Sequence, residues 1–314
     1  MEWGIAINLR EPVSEIVEKA MVADTGGLDS VWITDYPATK LSPVLASVVA
    51  QKTVKCRIGV GLLSPLIYPP TQIVRFMSSL IRAHGNRFDL LLGPGDKTRL
   101  ANIGVQYGKG TALVKEMAES LSAVREGLAD FKDCRVFFGA QGFKMIEISR
   151  ASDGVLLNYS DPEMIQWAIT ALGRVPAGFG VGVFPPTLVG DSVSCHERLG
   201  VRGSAAVVAL GLSPAMMKQF NLYEALLPAL SLFRERGKVD ENVIQLLDQS
   251  IIDRFCVCEN LEGVCNRLLQ FEKLGVTMIV FGPPQGSNHE GVNQLVQAKN
   301  TCKKPDWAPR SPYS

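Results

Sequence analysis

Short apolar or β-branched runs alternate along the chain with longer stretches in which apolar residues recur every three to four positions, the pattern of successive βαβ units. The strands read Trp3 to Leu9, Ser30 to Asp35, Cys56 to Leu63, Phe88 to Leu92, Arg135 to Phe138, Gly154 to Asn158, Phe179 to Phe184 and Val276 to Phe281. A helix from Val13 to Thr25 is opened by Pro12 and closed by Gly26-Gly27, proline being suited to a helix start and glycine to its end. Further helices begin near Ser42-Pro43 and after Pro69-Pro70-Thr71, and Leu113 to Ala129 has the cleanest amphipathic period of all. Others run from Lys144 to Ala151 and onward from Asp161-Pro162. A long helical stretch from His196 to Leu274 is broken at Gly211-Leu212-Ser213-Pro214 and at Gly237, and a last helix spans Glu290 to about Lys299.

Eight strand–helix units predict a closed α/β barrel, a (β/α)8 TIM barrel over residues 1–304, with a helical insertion between strands seven and eight. An open doubly wound sheet usually places G-x-G-x-x-G after its first strand; here that turn is Arg10-Glu11-Pro12, without glycine. The stretch 305–314 holds three prolines and reads as a flexible tail.

Composition narrows the function. Thirty-two basic residues against 31 acidic ones give a formal charge of +1, which recommends neither a nucleic acid nor an anionic membrane as partner. No apolar run reaches the length of a membrane helix, and Met1-Glu2-Trp3-Gly4-Ile5 lacks the features of a signal peptide, so a cytoplasmic location is expected. Of the seven cysteines, Cys256 and Cys258 are separated by one residue, not the two of a zinc or redox pair, and reduced, mostly buried thiols are expected. With only His84, His196 and His289, a histidine-rich metal site is not expected; His84 falls before strand four, at the end of the barrel away from the chemistry.

Barrel enzymes work at the C-terminal ends of their strands, and there the unusual residues collect. Strand two ends in Thr34-Asp35-Tyr36, strand three in Gly59-Val60-Gly61-Leu62-Leu63, strand four in Gly93-Pro94-Gly95-Asp96-Lys97 and strand five in Gly139-Ala140-Gln141-Gly142. Strand six ends in Asn158-Tyr159-Ser160 and strand eight in Gly282-Pro283-Pro284-Gln285-Gly286. Glycine at a strand end lets a flat or anionic ligand reach the backbone. Gly139 to Gly142 leads into a helix whose free N–H groups suit a phosphate, with Lys144 at hand, or it is an ordinary helix entry. Asp96 could orient or protonate a substrate, with Lys97 holding an anionic tail, or it caps a helix. Asp35 could reach a ligand or cap a loop. No nucleophile elbow, P-loop, metal spacing or Ser/His/Asp set occurs. Glycine-lined strand ends with few acid–base groups fit hydride transfer, in which a cofactor performs the difficult step.

Val31-Trp32-Ile33-Thr34-Asp35, Gly59-Val60-Gly61, Gly93 to Lys97, Gly139 to Gly142, Ser152-Asp153-Gly154-Val155-Leu156-Leu157-Asn158 and Gly275-Val276-Thr277 occur in one order over nearly the whole chain. In these stretches the sequence resembles the bacterial-luciferase-like superfamily and, within it, the coenzyme F420-dependent methylenetetrahydromethanopterin reductases of archaea. The resemblance implies a (β/α)8 barrel with an insertion near strand seven, a homodimer, and a deazaflavin, coenzyme F420, at the C-terminal mouth. It implies hydride exchange with a C1-carrying pterin, in one-carbon metabolism. It places a non-proline cis peptide at Gly61-Leu62 under the cofactor ring, the cofactor phosphate at Gly139, Ala140, Gln141 and Gly142, and a carboxylate near the reacting carbons at Asp96. Asp35, Gly93, Gly95 and Asn158 complete the cofactor site so implied. Ala6 departs from the pattern, because the reductases carry a glutamate in that slot on strand one. An FMN-dependent monooxygenase or reductase of the same superfamily, and a barrel that binds flavin or pterin without catalysis, are the alternative readings.

Overall fold

The computed structural model describes residues 1–7, 10–36, 39–108, 110–190 and 195–302, without the side chains of 195–197. The strands are β1 (Glu2–Ile7), β2 (Ser30–Ile33), β3 (Arg57–Leu63), β4 (Phe88–Leu92), β5 (Arg135–Ala140), β6 (Gly154–Leu157), β7 (Gly180–Val183), β8 (Thr187–Val189), β9 (Val257–Glu259) and β10 (Met278–Phe281). Eight of them close into a parallel barrel in the order β1-β2-β3-β4-β5-β6-β7-β10. Outside it lie α1 (Val13–Thr25), α2 (Ser42–Ala50), α3 (Pro70–His84), α4 (Lys97–Asn102), α5 (Gly110–Gly127), α6 (Phe143–Ser149) and α7 (Pro162–Leu172). Between β8 and β9 run α8 (Cys195–Leu210), α9 (Pro214–Gln219), α10 (Tyr223–Arg236), α11 (Glu241–Gln245) and α12 (Gln249–Ile252). α13 (Leu261–Lys273) precedes β10, and α14 (His289–Cys302) ends the described chain. The tail expected at 305–314 lies outside the described residues.

Successive strand residues point to opposite faces of the sheet. One set, including Ile5, Val31, Ile58 and Leu90, packs outward against the helices in the main core. The other set fills the barrel: Ala6, Trp32, Leu91, Phe137, Leu156, Met278 and Val280 form a separate apolar plug, with Leu62 and Phe184 half-buried on it. Bulky side chains lie over glycines one or two strands away. A Cβ at Gly4 or Gly59 would run into Trp32, one at Gly154 or Gly180 into Phe137, and one at Gly182 into Leu156. The Trp32 indole N–H donates to Ser30 Oγ at 3.0 Å, so the largest member of the plug leaves no orphaned donor.

At the N-terminal ends of the strands a cluster of charges closes the barrel. The fully buried Asp89 accepts from Arg57 Nη2 at 2.6 Å and from Arg135 Nη2 at 2.7 Å, and Arg135 Nη1 reaches Glu2 at 2.8 Å. Burial opposes the charge of Arg135, but its hydrogen bonds to Asp89 and Glu2 outweigh that and raise its pKa further.

Two expectations are corrected. The stretch read as helical from His196 to Leu274 is interrupted by β9, which pairs in parallel with β8 in the register Thr187↔Val257, Leu188↔Cys258 and Val189↔Glu259. Strands of three residues are too short for a period of two to show in the sequence.

The cysteines were all expected to be reduced, yet Cys265 on α13 and Cys302 on α14 form a disulfide. The two helices bring these Cα atoms to 5.5 Å, within bridging range, across a separation of 37 residues that gives no cue in the sequence. Cys56, Cys134 and Cys256 are free and buried, and burial pushes each thiol up to about 12, so these three are inert. Because a bridge restricts the unfolded chain, Cys302→Ser is expected to lose about 2–4 kcal/mol of stability without reductant. Chemical denaturation checks this; equal midpoints for variant and parent under oxidising conditions would show that the bridge contributes nothing.

Candidate active site

The C-terminal end of the barrel is where the plug gives way to backbone. Above Leu91 and Phe137 the next inward positions of β4 and β5 are Gly93 and Gly139, and a Cβ on either would come within 2.8 Å of Leu62 Cδ1. Leu62 thus lies across two bare strand ends. It gets there through a bulge in β3, where the register with β4 shifts between Gly61 and Leu63 and the Gly61-Leu62 peptide is cis, as expected. Gly61 has φ +134°, and a Cβ there would meet the Leu91 carbonyl oxygen, so only glycine fits.

Next along the rim, two buried oxygens at the end of β6 have no hydrogen-bond partner among the described residues: Asn158 Oδ1 and the Tyr159 hydroxyl. Tyr159 belongs to the outer core. Asn158 stands two residues beyond the inward-facing Leu156, so the alternation of the strand carried one step further turns it to the luminal side. An unpaired buried carbonyl oxygen costs about 1–3 kcal/mol unless a ligand donor satisfies it. The bare positions at Gly93 and Gly139 and the unpaired oxygen of Asn158 fit a flat ring carrying an N–H at its edge.

The remaining expected residues separate. Asp96 is the N-cap of α4, its Oδ1 accepting from the Arg99 N–H at 2.9 Å, and its exposed carboxylate stands on the rim beyond Gly95, which turns the chain at φ +83°. Asp35 is engaged at both oxygens, by the Ser42 N–H at 3.1 Å and the Tyr68 hydroxyl at 3.1 Å, so it ties the loop after β2 to α2 and to the segment after β3. Gln141 donates to the Val208 carbonyl at 3.3 Å, fastening the turn after β5 to α8. Ala140 is buried and ends β5. Gly142 is the N-cap of α6, and a Cβ there would meet nothing nearer than Met216 at 4.0 Å. As at any helix start, the first N–H groups of α6 have no partner within the helix. Lys144 pairs with Glu147 on the exposed face of α6.

Several rim groups carried no signal in the sequence. Burial and the adjacent Asp35 push Tyr68 up to about 12, so it stays a donor. Burial and Asp96 likewise raise Tyr107. The Arg99 guanidinium lies 4.3 Å from the centre of the Tyr36 ring, a contact that passes from the β2 loop to α4 beyond the end of β3. At β1, Ala6 is buried in the plug, and a Cβ on Gly286 would collide with the Ala6 carbonyl, so the turn Gln285–Ser287 packs directly on that strand end.

Residues 2–278 match the profile of the luciferase-like monooxygenases. The chain belongs to that family. It is 25% identical to the 5,10-methylenetetrahydromethanopterin reductase of Methanolobus tindarius over 324 aligned positions, covering 94% of this chain and 98% of that one. Among solved structures it is similar to the coenzyme F420 dependent tetrahydromethanopterin reductase of Methanopyrus kandleri. That likeness has a TM-score of 0.82 at 18% identity and covers 95% of this chain and 97% of the other. An F420-dependent secondary alcohol dehydrogenase, in complex with an F420-acetone adduct, has a TM-score of 0.72 at 14% identity, covering 96% and 99%. Both structures share the fold. Among the described residues, no helix is long and apolar enough to cross a membrane.

Proposed function

We propose that this member of the luciferase-like family is an F420-dependent oxidoreductase that exchanges hydride between the reduced deazaflavin and a C1-carrying pterin, methylenetetrahydromethanopterin or a close analogue. The observation that carries this reading is the rim itself: Leu62 laid over the bare positions of Gly93 and Gly139, with the unpaired Asn158 oxygen beside them. The likeness to the archaeal reductases supports both the cofactor and the substrate class.

When bound, the deazaflavin supplies a hydride donor and acceptor at a ring carbon. The protein's part is placement. The Gly61-Leu62 bulge would support one face of the ring, Asn158 Oδ1 would accept an N–H from its edge, and the turn from Gly139 through Ala140 and Gln141 to Gly142 would hold the phosphate at the start of α6. Below, the apolar plug, with Leu62 and Phe184 packed on it, would keep water from the supported face. Ala6 offers no proton, so the one taken up by the second nitrogen when the methylene bridge opens would come from elsewhere, while hydride addition to the resulting iminium carbon needs no general acid.

Separate titrations with F420 and with FMN, followed by a single turnover with methylenetetrahydromethanopterin, test the reading. F420 binding and pterin-dependent oxidation of the reduced cofactor are expected. Binding of FMN alone would favour a flavin monooxygenase, and binding of F420 without hydride exchange would leave a non-catalytic binding barrel.

Asp96 is proposed as the carboxylate near the reacting carbons. Asparagine caps helices as well as aspartate does, so Asp96→Asn isolates the charge from the fold. Turnover is expected to fall at least about tenfold, roughly 1.4 kcal/mol of barrier. An unchanged rate would reduce Asp96 to its capping role.

A further inference from the structure

We infer that Glu15, Glu18 and His289 form a binding site for a divalent transition-metal ion of the zinc class, on the outside of the barrel where α1 meets α14. Glu15 and Glu18 are three residues apart on α1, hence on one face of the helix. His289 is the first residue of α14 and comes from the far end of the chain. Its Nε2 lies 3.1 Å from Glu15 Oε2 and 3.6 Å from Glu18 Oε2.

One ligand atom from each of the three residues falls within 4.8 Å of the others. A cation at the centre of such a triangle stands at most about 2.8 Å from each atom, so half-exposed side chains need move by less than about 1 Å to reach zinc–ligand distances of about 2.0–2.2 Å.

A neutral Nε2–H can be directed at only one of the two carboxylates, which repel each other on the helix face; a cation among the three groups would satisfy all of them. A neutral imidazole with two carboxylates is a borderline nitrogen–oxygen set that suits zinc, cobalt or nickel, with water completing the sphere.

The position has a structural consequence. One turn further along α1, the buried Lys19 donates to the Gly286 carbonyl at 2.8 Å and pairs with Glu11. An ion held by Glu15, Glu18 and His289 would fasten the start of α14 to the same face of α1, directly behind the turn that packs on the end of β1.

Titration of the chelator-stripped full chain with Co2+ alone, followed by displacement with Zn2+, tests the site. One equivalent is expected to bind with micromolar affinity and to give the weak ligand-field bands of a nitrogen–oxygen set, without intense sulfur-to-cobalt charge transfer. His289→Ala should lower the affinity at least about tenfold, and Glu18→Gln should weaken it as well, with circular dichroism unchanged in both because the α14 cap is made by Asn288 to the Gly291 N–H. The absence of saturable binding below millimolar Co2+, a sulfur charge-transfer band, or unaltered affinity in His289→Ala would each overturn the assignment.

Discussion

Gly142→Glu is expected to abolish binding of coenzyme F420 while the barrel stays folded. The backbone at Gly142 is extended, and a Cβ there would find Met216 no closer than 4.0 Å, so the fold has room for the new side chain. A carboxylate at the start of α6 would then face the phosphate that the turn from Gly139 is proposed to hold. Two like charges about 4 Å apart in a partly screened protein environment repel by about 4 kcal/mol, a loss of roughly a thousandfold in affinity. Calorimetric titration measures it, with Gly142→Gln as the control that adds bulk without charge. If the glutamate variant binds as the parent does, the phosphate lies elsewhere on the rim. If the glutamine variant loses binding equally, bulk and not charge is at work.

At the opposite end of the barrel, Asp89→Asn is expected to cost about 3–5 kcal/mol of folding stability and to leave cofactor affinity unchanged. Asp89 has no exposed surface and accepts from two guanidinium groups. Removing the buried carboxylate that both guanidinium groups share breaks two charge pairs at once, and that loss exceeds what the intact pairs contributed. Glu2 can answer Arg135 only in part, and Arg57 keeps the carbonyls of Phe88 and Asp133. Denaturant melts of variant and parent give the difference directly. A change below about 1 kcal/mol would mean that the cluster is solvated and closes the barrel less tightly than its burial implies.

The barrel was legible because most strands are short, largely apolar and close to a glycine or proline, and because the alternation repeats eight times. α1 and β4 have the same limits in structure as in the pattern, whereas three strands end one or two residues early, with Asp35, Asn158 and Phe184 lying past the ends of β2, β6 and β7. The rim was legible for a related reason: glycines at strand ends mark where side chains give way to a ligand, and Gly93 and Gly139 do border one surface.

Partnerships across the fold left no trace in the sequence. Nothing in the spacing joins Asp35 to Tyr68, Tyr36 to Arg99, or Cys265 to Cys302, because such contacts depend on how loops and helices from distant parts of the chain come together. Asp96 had two readings, and the structure makes it a helix cap whatever else it does.

Cohesion and chemistry sit at different heights in this cylinder. The charged base and the apolar filling above it hold the staves from within, while the upper edge is held by ties between loops, such as Asp35 to Tyr68 and Gln141 to Val208. Replacing segment 139–142 by that of another family member would therefore have to keep a partner for the Val208 carbonyl, whereas the base and the filling would need no change.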